Sequence, residues 1–316
     1  MADALTIAMR SALASRARKS ALRALTVVQP TSVDFSSNDF LSLATSVELH
    51  SAFVEILRTG PPRLGSGGSR LLDGNSDDAT TLEADIASFH GAEAGCLFNS
   101  GFDANAGFFS CVPQPGDVIV YDAAIHASVH EGMRLSRAGV GVSFAHNDVG
   151  DLERVLQKVV AEDDHVKRGE RSVFVTVESL YSMDGDVAPL QEIADVVERL
   201  LPARNGKIIV DEAHSTGVYA IILCSPLVKE YLINYARPLI YTTFMSYPSL
   251  VAIRTVYDFM MEGKTMEAAA HLWKLQWDVN IGDKTLLLTP KVVAMYPYIQ
   301  ATDEFLSAYF VPCAFS

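Results

Sequence analysis

The sequence predicts an α/β fold, a mainly parallel sheet with helices packed on both faces. Three observations carry this. Short, continuous, β-rich apolar runs stand at 95–98, 118–121, 141–144, 172–177 and 207–210; strands covered on both faces read this way, whereas half-exposed ones alternate. Amphipathic segments at 123–135, 148–160 and 190–200 separate the runs, and such alternation builds parallel strands joined by right-handed crossovers. Polar residues follow the runs: Asn99-Ser100-Gly101, Asp122, His146-Asn147-Asp148, Glu178-Ser179 and Asp211-Glu212-Ala213-His214. Ligands of open α/β sheets bind beyond these strand ends.

In chain order, residues 5–26 come first, with Arg10, Arg16, Arg18, Lys19 and Arg23 among Ala and Ser. Leu5, Met9, Leu13 and Ala17 recur at helical spacing, so the stretch reads as an amphipathic helix, with a mitochondrial transit segment as the alternative. A flexible Gly/Ser-rich loop at 60–70 precedes a helix expected over 78–90, which Gly91 ends. A further helix is expected from Asp103 to 109. Beyond residue 210 the pattern predicts helices near 226–236 and 249–261, a strand near 286–289 and a helix near 303–309. Pro238 and Pro248 mark a boundary. The organisation expected is an N-terminal helix and arm over 1–40, a large domain over 41–237 and a smaller α+β domain over 238–316.

The 316 residues are 49% hydrophobic and 20% charged, which is a globular composition, and the net charge of −13 argues against duplex nucleic acid or anionic membrane as partner. No apolar run is long enough to span a bilayer, and a cytoplasmic location is expected, with mitochondria the alternative. Cys96, Cys111, Cys224 and Cys313 form no C-x-x-C pair, so reduced, buried thiols are expected.

Several motifs fail on context. Asp211-Glu212-Ala213-His214 spells a helicase acidic box, but no phosphate loop precedes it, and Gly263-Lys264-Thr265 lies downstream. Gly65-Ser66-Gly67 begins a dinucleotide fingerprint that Arg70 breaks, with no strand before it. His126 and His130 lack further ligands at metal spacing, so no metal is expected. No G-x-S-x-G elbow is present. What remains suits one cofactor. Ser100-Gly101-Phe102 opens a helix, whose free N–H groups and dipole hold a phosphate. Asp211 at the end of a buried strand would keep a heterocyclic nitrogen protonated. His214 can donate to a phenolic oxygen and His126 can stack on a ring. Phosphate, pyridinium and phenolate together describe pyridoxal 5′-phosphate.

At these residues the sequence resembles the α-oxoamine synthase family of fold-type I pyridoxal-phosphate enzymes. The matching stretches, in family order, are Ser37-Asn38-Asp39-Phe40-Leu41, Gly65-Ser66-Gly67-Gly68-Ser69-Arg70, Asn99-Ser100-Gly101-Phe102-Asp103-Ala104-Asn105, 122–128, Ser182-Met183-Asp184-Gly185-Asp186, 210–217 and Ile222-Leu223-Cys224-Ser225. The resemblance implies a fold-type I transferase that condenses a small amino acid with an acyl-CoA, losing CO₂, in a homodimer with interfacial sites. By the same resemblance Gly101 and Phe102 lie at the phosphate and His126 stacks on the ring. Asp211 pairs with the pyridine nitrogen, while Ser182 and His214 serve the phenolic oxygen. Thr243 reaches the neighbouring subunit's phosphate, and Asn38 lies on the substrate side. His126 and His214 are the catalytic candidates.

One departure is large. In the family a long segment after Asp-x-Ala-His ends in the lysine that forms the Schiff base with the cofactor and moves the substrate's α-proton. Here Val218-Tyr219-Ala220 runs directly into Ile221-Ile222-Leu223-Cys224-Ser225, which in the family follows that lysine. No Schiff-base lysine is identifiable; Lys207 and Lys229 stand in unrelated contexts. The C-terminal domain also reads as shortened, without the family's final strands and substrate-carboxylate arginine. A central strand is therefore expected to be missing, with the strand at 207–211 paired directly to 218–224. The reading is an acyltransferase by descent with impaired catalysis. The alternatives are a non-catalytic subunit in a heterodimer with a lysine-bearing paralogue, or a fragment from altered splicing or an incorrect gene model.

Overall fold

A computed structural model describes residues 3–25, 27, 29, 32, 37–214, 220–271 and the backbone of 309–310. The chain divides into two compact units, 1–37 and 38–316. In the first, α1 (Ala4–Arg18) is capped by Asp3, which accepts the Thr6 N–H at 3.0 Å, and none of its residues is buried. The helix stops eight residues before its expected end at 26; Ser20 adopts a φ of 51°, which an α-helix does not continue through.

The second unit opens with a 3₁₀ turn (Leu43–Thr45), α2 (Val47–Thr59) and α3 (Asp77–Phe89). The strand–helix series follows: β1 (Ala94–Leu97), α4 (Gly101–Cys111), β2 (Val118–Asp122), α5 (Ala127–Leu135), β3 (Val140–Phe144), α6 (Val149–Glu162), α7 (Asp164–Lys167), β4 (Val173–Glu178), α8 (Leu190–Leu200) and β5 (Gly206–Asp211). After it come β6 (Ile221–Cys224), α9 (Pro226–Tyr235), α10 (Arg237–Ile240), α11 (Tyr247–Met261) and β7 (Tyr309–Phe310). The α/β expectation holds. Sequence reasoning passed over α2, although Ser46 caps it and Leu49, Phe53, Ile56 and Leu57 form its half-buried face. The strand expected at 286–289 lies outside the described residues. So does most of the helix expected at 303–309, whose last residue, Tyr309, is in β7.

Among the described residues the strands lie in the order β1-β6-β7-β5-β4-β2-β3. From β7 to β3 every neighbouring pair is parallel, and β6 runs antiparallel to both β1 and β7. Direct pairing of β5 with β6 is overturned: β7 lies between them, with Val210 and Leu223 both opposite Phe310. Two ladder edges that would otherwise bury unpaired N–H and C=O groups take a strand from elsewhere in the chain.

Strand alternation sorts the core. Phe174 and Ile209 face α4, where Phe108 and Phe109 pack, while Val173, Val175, Ile208 and Val210 face α6 and α8. A third cluster seats Ile221 and Leu223 of β6 against α3 and α11. Helices thus cover both faces. Cys96, Cys111 and Cys224 are buried free thiols, and burial foremost raises the pKa of each to about 12. No helix among the described residues is long and apolar enough to cross a membrane.

Candidate active site

Asp211 ends β5 and Glu178 ends β4, and the two are register partners in a parallel ladder. Their side chains therefore leave the same face, the one that carries α4. Both are buried. The Asp211 Oδ2 accepts from Asn105 Nδ2 at 2.8 Å, and the same amide nitrogen donates to Ser128 Oγ at 2.9 Å. Ser128 Oγ in turn lies 2.7 Å from His126 Nδ1. A continuous hydrogen-bonded path thus joins the buried carboxylate to the exposed imidazole. His126 is the N-cap of α5. The helix expected from residue 123 starts four residues later because Asp122 closes a turn over 122–125, its Oδ1 accepting the Ala124 N–H at 2.8 Å and its carbonyl the Ile125 N–H at 3.0 Å.

Asn105 sits one turn into α4, and Gly101 opens that helix, about 6 Å away along its axis. Ser100 caps it, its Oγ accepting the Asp103 N–H at 3.0 Å and its carbonyl the Ala104 N–H at 3.0 Å. The N–H groups of Gly101 and Phe102 precede these first bonds and stand at the positive end of the helix, an anion-binding arrangement. Helix α4 therefore presents an anion-binding end and an amide bonded to the Asp211 carboxylate one turn apart.

The electrostatics ask for a cation. Burial raises the Asp211 pKa, opposed by the Asn105 amide, the Ala213 N–H and the nearby His126. Burial, then the charge of Asp211, pushes Glu178 up to about 8, although the N–H groups of His126 and Ser182 favour its ionised form. Two adjoining buried carboxyls resist joint ionisation without a counter-charge. A protonated heteroaromatic nitrogen supplies one, so the residues present fit the pyridine end of pyridoxal phosphate as well as its phosphate.

The other sequence-selected residues are placed as follows. Phe102 is 45% exposed at the start of α4. Ser182 is exposed, with its N–H directed to Glu178. His214 is half-buried in the turn after β5. The Thr243 carbonyl accepts from Asn99 Nδ2 at 2.7 Å, beside the β1–α4 junction, and the next residue's N–H donates to the Gly68 carbonyl at 2.9 Å. That contact brings the Gly/Ser-rich loop to the same end of the sheet. Asn38 is half-buried in the turn before Leu43–Thr45 and takes no part in the hydrogen-bonded path. Lys207 lies at the opposite end of β5, its Nζ donating to the Arg204 carbonyl at 3.3 Å, and Lys229 pairs with Glu83 at 2.8 Å. Neither serves the site, and Lys274, Lys284 and Lys291 lie outside the described residues.

Sequence reasoning named Glu178 as a polar residue at a strand end without giving it a role, and did not select Asn105 or Ser128 as site residues. A signal existed for each. Asn105 follows Gly101 by one helical turn, Ser128 follows His126 by two residues, and Glu178 ends an apolar run beside the strand of Asp211.

Residues 30–256 match the family model for aminotransferase class I and II. The chain is 48% identical over 301 residues to 8-amino-7-oxononanoate synthase of Emericella nidulans, an alignment covering 84% of this chain and 73% of the relative. Among solved structures, Sphingomonas wittichii serine palmitoyltransferase aligns with a TM-score of 0.64 at 25% identity, covering 87% of this chain and 76% of that one. A lysine-to-alanine variant of serine palmitoyltransferase from S. paucimobilis, with bound PLP–myriocin aldimine, shares the fold at a TM-score of 0.62 and 22% identity, covering 81% and 72% of the two chains. With this span and identity, the chain belongs to the aminotransferase class I and II family, in the α-oxoamine synthase group that includes 8-amino-7-oxononanoate synthase and serine palmitoyltransferase.

Proposed function

We propose that this chain binds pyridoxal 5′-phosphate at the strand-end cluster. It is an acyltransferase of 8-amino-7-oxononanoate synthase type, as in biotin-type biosynthesis, with condensation impaired by loss of the lysine segment. A small amino acid and an acyl-CoA are its substrates, and a dimer its working form. Residues 238–316 correspond to the family's smaller domain. The observation that carries the reading is the path from His126 through Ser128 and Asn105 to Asp211, on a helix whose first residue is Gly101.

The cofactor, when bound, supplies an electron sink for negative charge developing at the amino acid's α-carbon. This chain's residues hold and orient it. Asp211, fixed by the Asn105 amide and the Ala213 N–H, keeps a proton on the ring nitrogen. Gly101 and Phe102 take the phosphate, with Thr243 reaching that of a neighbouring subunit. His126 offers its ring face, Ser182 and His214 donate toward the phenolic oxygen, and Asn38 lies toward the substrate. A positioned base is the missing part, and its loss costs typically ~10²–10⁴-fold in rate.

Equilibrium dialysis and near-ultraviolet absorbance with pyridoxal phosphate test this. The wild-type chain takes up the cofactor saturably, and Asp211→Asn weakens uptake roughly 10- to 100-fold, as loss of one charged hydrogen bond implies. Release of CoA from the acyl-CoA and of CO₂ from the amino acid's carboxylate, each dependent on the presence of the other substrate, is then measurable but slow. Equal uptake by both proteins, or none by either, sinks the reading.

A further inference from the structure

The loop between β4 and α8 carries Ser182, and its anchor is a histidine outside the candidate site. Asp122 follows Val118 and Val120 in strand alternation, so its buried carboxylate faces the side of the sheet opposite Asp211. Its Oδ1 accepts the Ala124 N–H at 2.8 Å and lies 2.8 Å from His146 Nδ1, and its Oδ2 accepts the Asn147 N–H at 2.9 Å. His146 Nε2 lies 2.9 Å from Asp186 Oδ2, to which Asn147 Nδ2 also donates at 2.7 Å. The loop itself is tight. Tyr181 N–H donates to the Asp186 carbonyl at 3.0 Å, Gly185 N–H to the Tyr181 carbonyl at 2.9 Å, and Leu180 bridges Val187. The Tyr181 ring stands edge-on to His146 at 4.4 Å and 82°.

We propose that His146 is a positioning residue of the cofactor site: by bridging Asp122 and Asp186 it clamps the 180–187 loop, and with it Ser182, to the strand end that leads into His126. The proposal rests on reading the strand-end cluster as a pyridoxal phosphate site. Asp122 is the shared anchor, since one oxygen holds both the turn toward His126 and the imidazole that holds the loop. Glu178 fastens the other side of the loop by accepting the Ser182 N–H.

Both ring nitrogens of His146 face carboxylate oxygens, and only the protonated ring donates to both. Burial opposes that charge, but Asp122 and Asp186 outweigh it, and the His146 pKa lies above its ordinary value. The ionisable groups around the clamp are Asp122 from β2, Asp186 and Tyr181 from the loop, and Glu178 beyond Asp122 from β4. A raised pKa gives a clamp that is complete below about pH 6.5 and released as pH rises through the raised value.

Ring-proton NMR of His146 and amide exchange of the full-length chain without cofactor decide the clamp, and pyridoxal phosphate titration decides its consequence. The wild-type ring titrates above pH 6.5. Asp186→Asn lowers that midpoint and speeds exchange at residues 182–185 about tenfold, the loss of one charged hydrogen bond, while β5 stays protected. His146→Gln weakens cofactor uptake about tenfold and loses the wild-type change in uptake across the ring's titration. A ring midpoint at or below 6.5, or unchanged exchange in Asp186→Asn, overturns the proposal. Asp186 is 39% exposed, so its variant carries the test if His146→Gln does not fold. Failure of every protein to take up cofactor counts against the proposed function, and the titration and exchange still decide the clamp.

Discussion

At Asp211 and Glu178 the site is most unlike an ordinary protein interior. Register places the two carboxyls side by side, and Asn105 and Ser128 tie the first of them to His126. Such an arrangement costs stability unless a counter-charge stands beside it. Glu178 shows the sign of that cost. Its pKa in the folded chain is about 8, above its ordinary value, so between about pH 4.5 and 8 the unfolded chain has released a proton that the folded chain keeps. Stability of the cofactor-free protein therefore falls as pH rises through that window and levels off above it. Glu178→Gln removes the titrating group. Thermal melts of the cofactor-free chain are expected to show the variant gaining more on wild type at pH 8 than at pH 5; an equal difference at both values contradicts the assignment. Near these two residues the amino acids alone pointed to Asp211, because it ends an apolar run. They placed Glu178 at a strand end as well but not beside Asp211, and they did not point to Asn105, because a side-by-side carboxyl and an amide reaching from a helix are matters of register and packing.

The α4–α5 pair carries the Asn105–Ser128 bond on which the path to Asp211 depends. Gly132 of α5 lies against α4 so closely that a Cβ there would stand 2.7 Å from the Phe109 Cβ and 2.9 Å from the Asn105 carbonyl oxygen. Backbone, not a flexible side-chain end, forms part of that contact, so Gly132→Ala must push the helices apart. Overpacking of this kind costs about 1–3 kcal/mol. The displacement also separates Ser128 from Asn105, so the variant is expected to melt earlier and to bind pyridoxal phosphate more weakly. A stability loss with unchanged cofactor affinity would show that the Ser128–Asn105 bond does not position Asp211. The existence of these helices was legible in their apolar spacing and in Ser100 as a cap. The late start of α5 was not, because the turn before it depends on Asp122 reaching the Ala124 N–H. α2 was legible but passed over, its amphipathic face lying ahead of the regular strand–helix series.

Over the whole molecule, the sheet does not join β5 to β6 directly. The two-residue β7 takes the intervening place, parallel to β5 and antiparallel to β6. Ending the chain after residue 308 removes that strand. The expected result is a fall in Tm of roughly 3–10 °C, from a few lost backbone hydrogen bonds, with increased binding of a hydrophobic dye. An unchanged Tm would mean that β5 and β6 pair directly once β7 is gone. The sequence by itself determined the layered α/β architecture and the placing of polar residues at the strand ends. Those follow from periodicity, composition and order along the chain, which are local properties. The tertiary structure alone decided that β7 fills the central place, that Glu178 adjoins Asp211 and that His146 spans two carboxylates. Each of these joins residues far apart in sequence, and backbone pairing and packed side chains select such partners where local pattern carries no record of them.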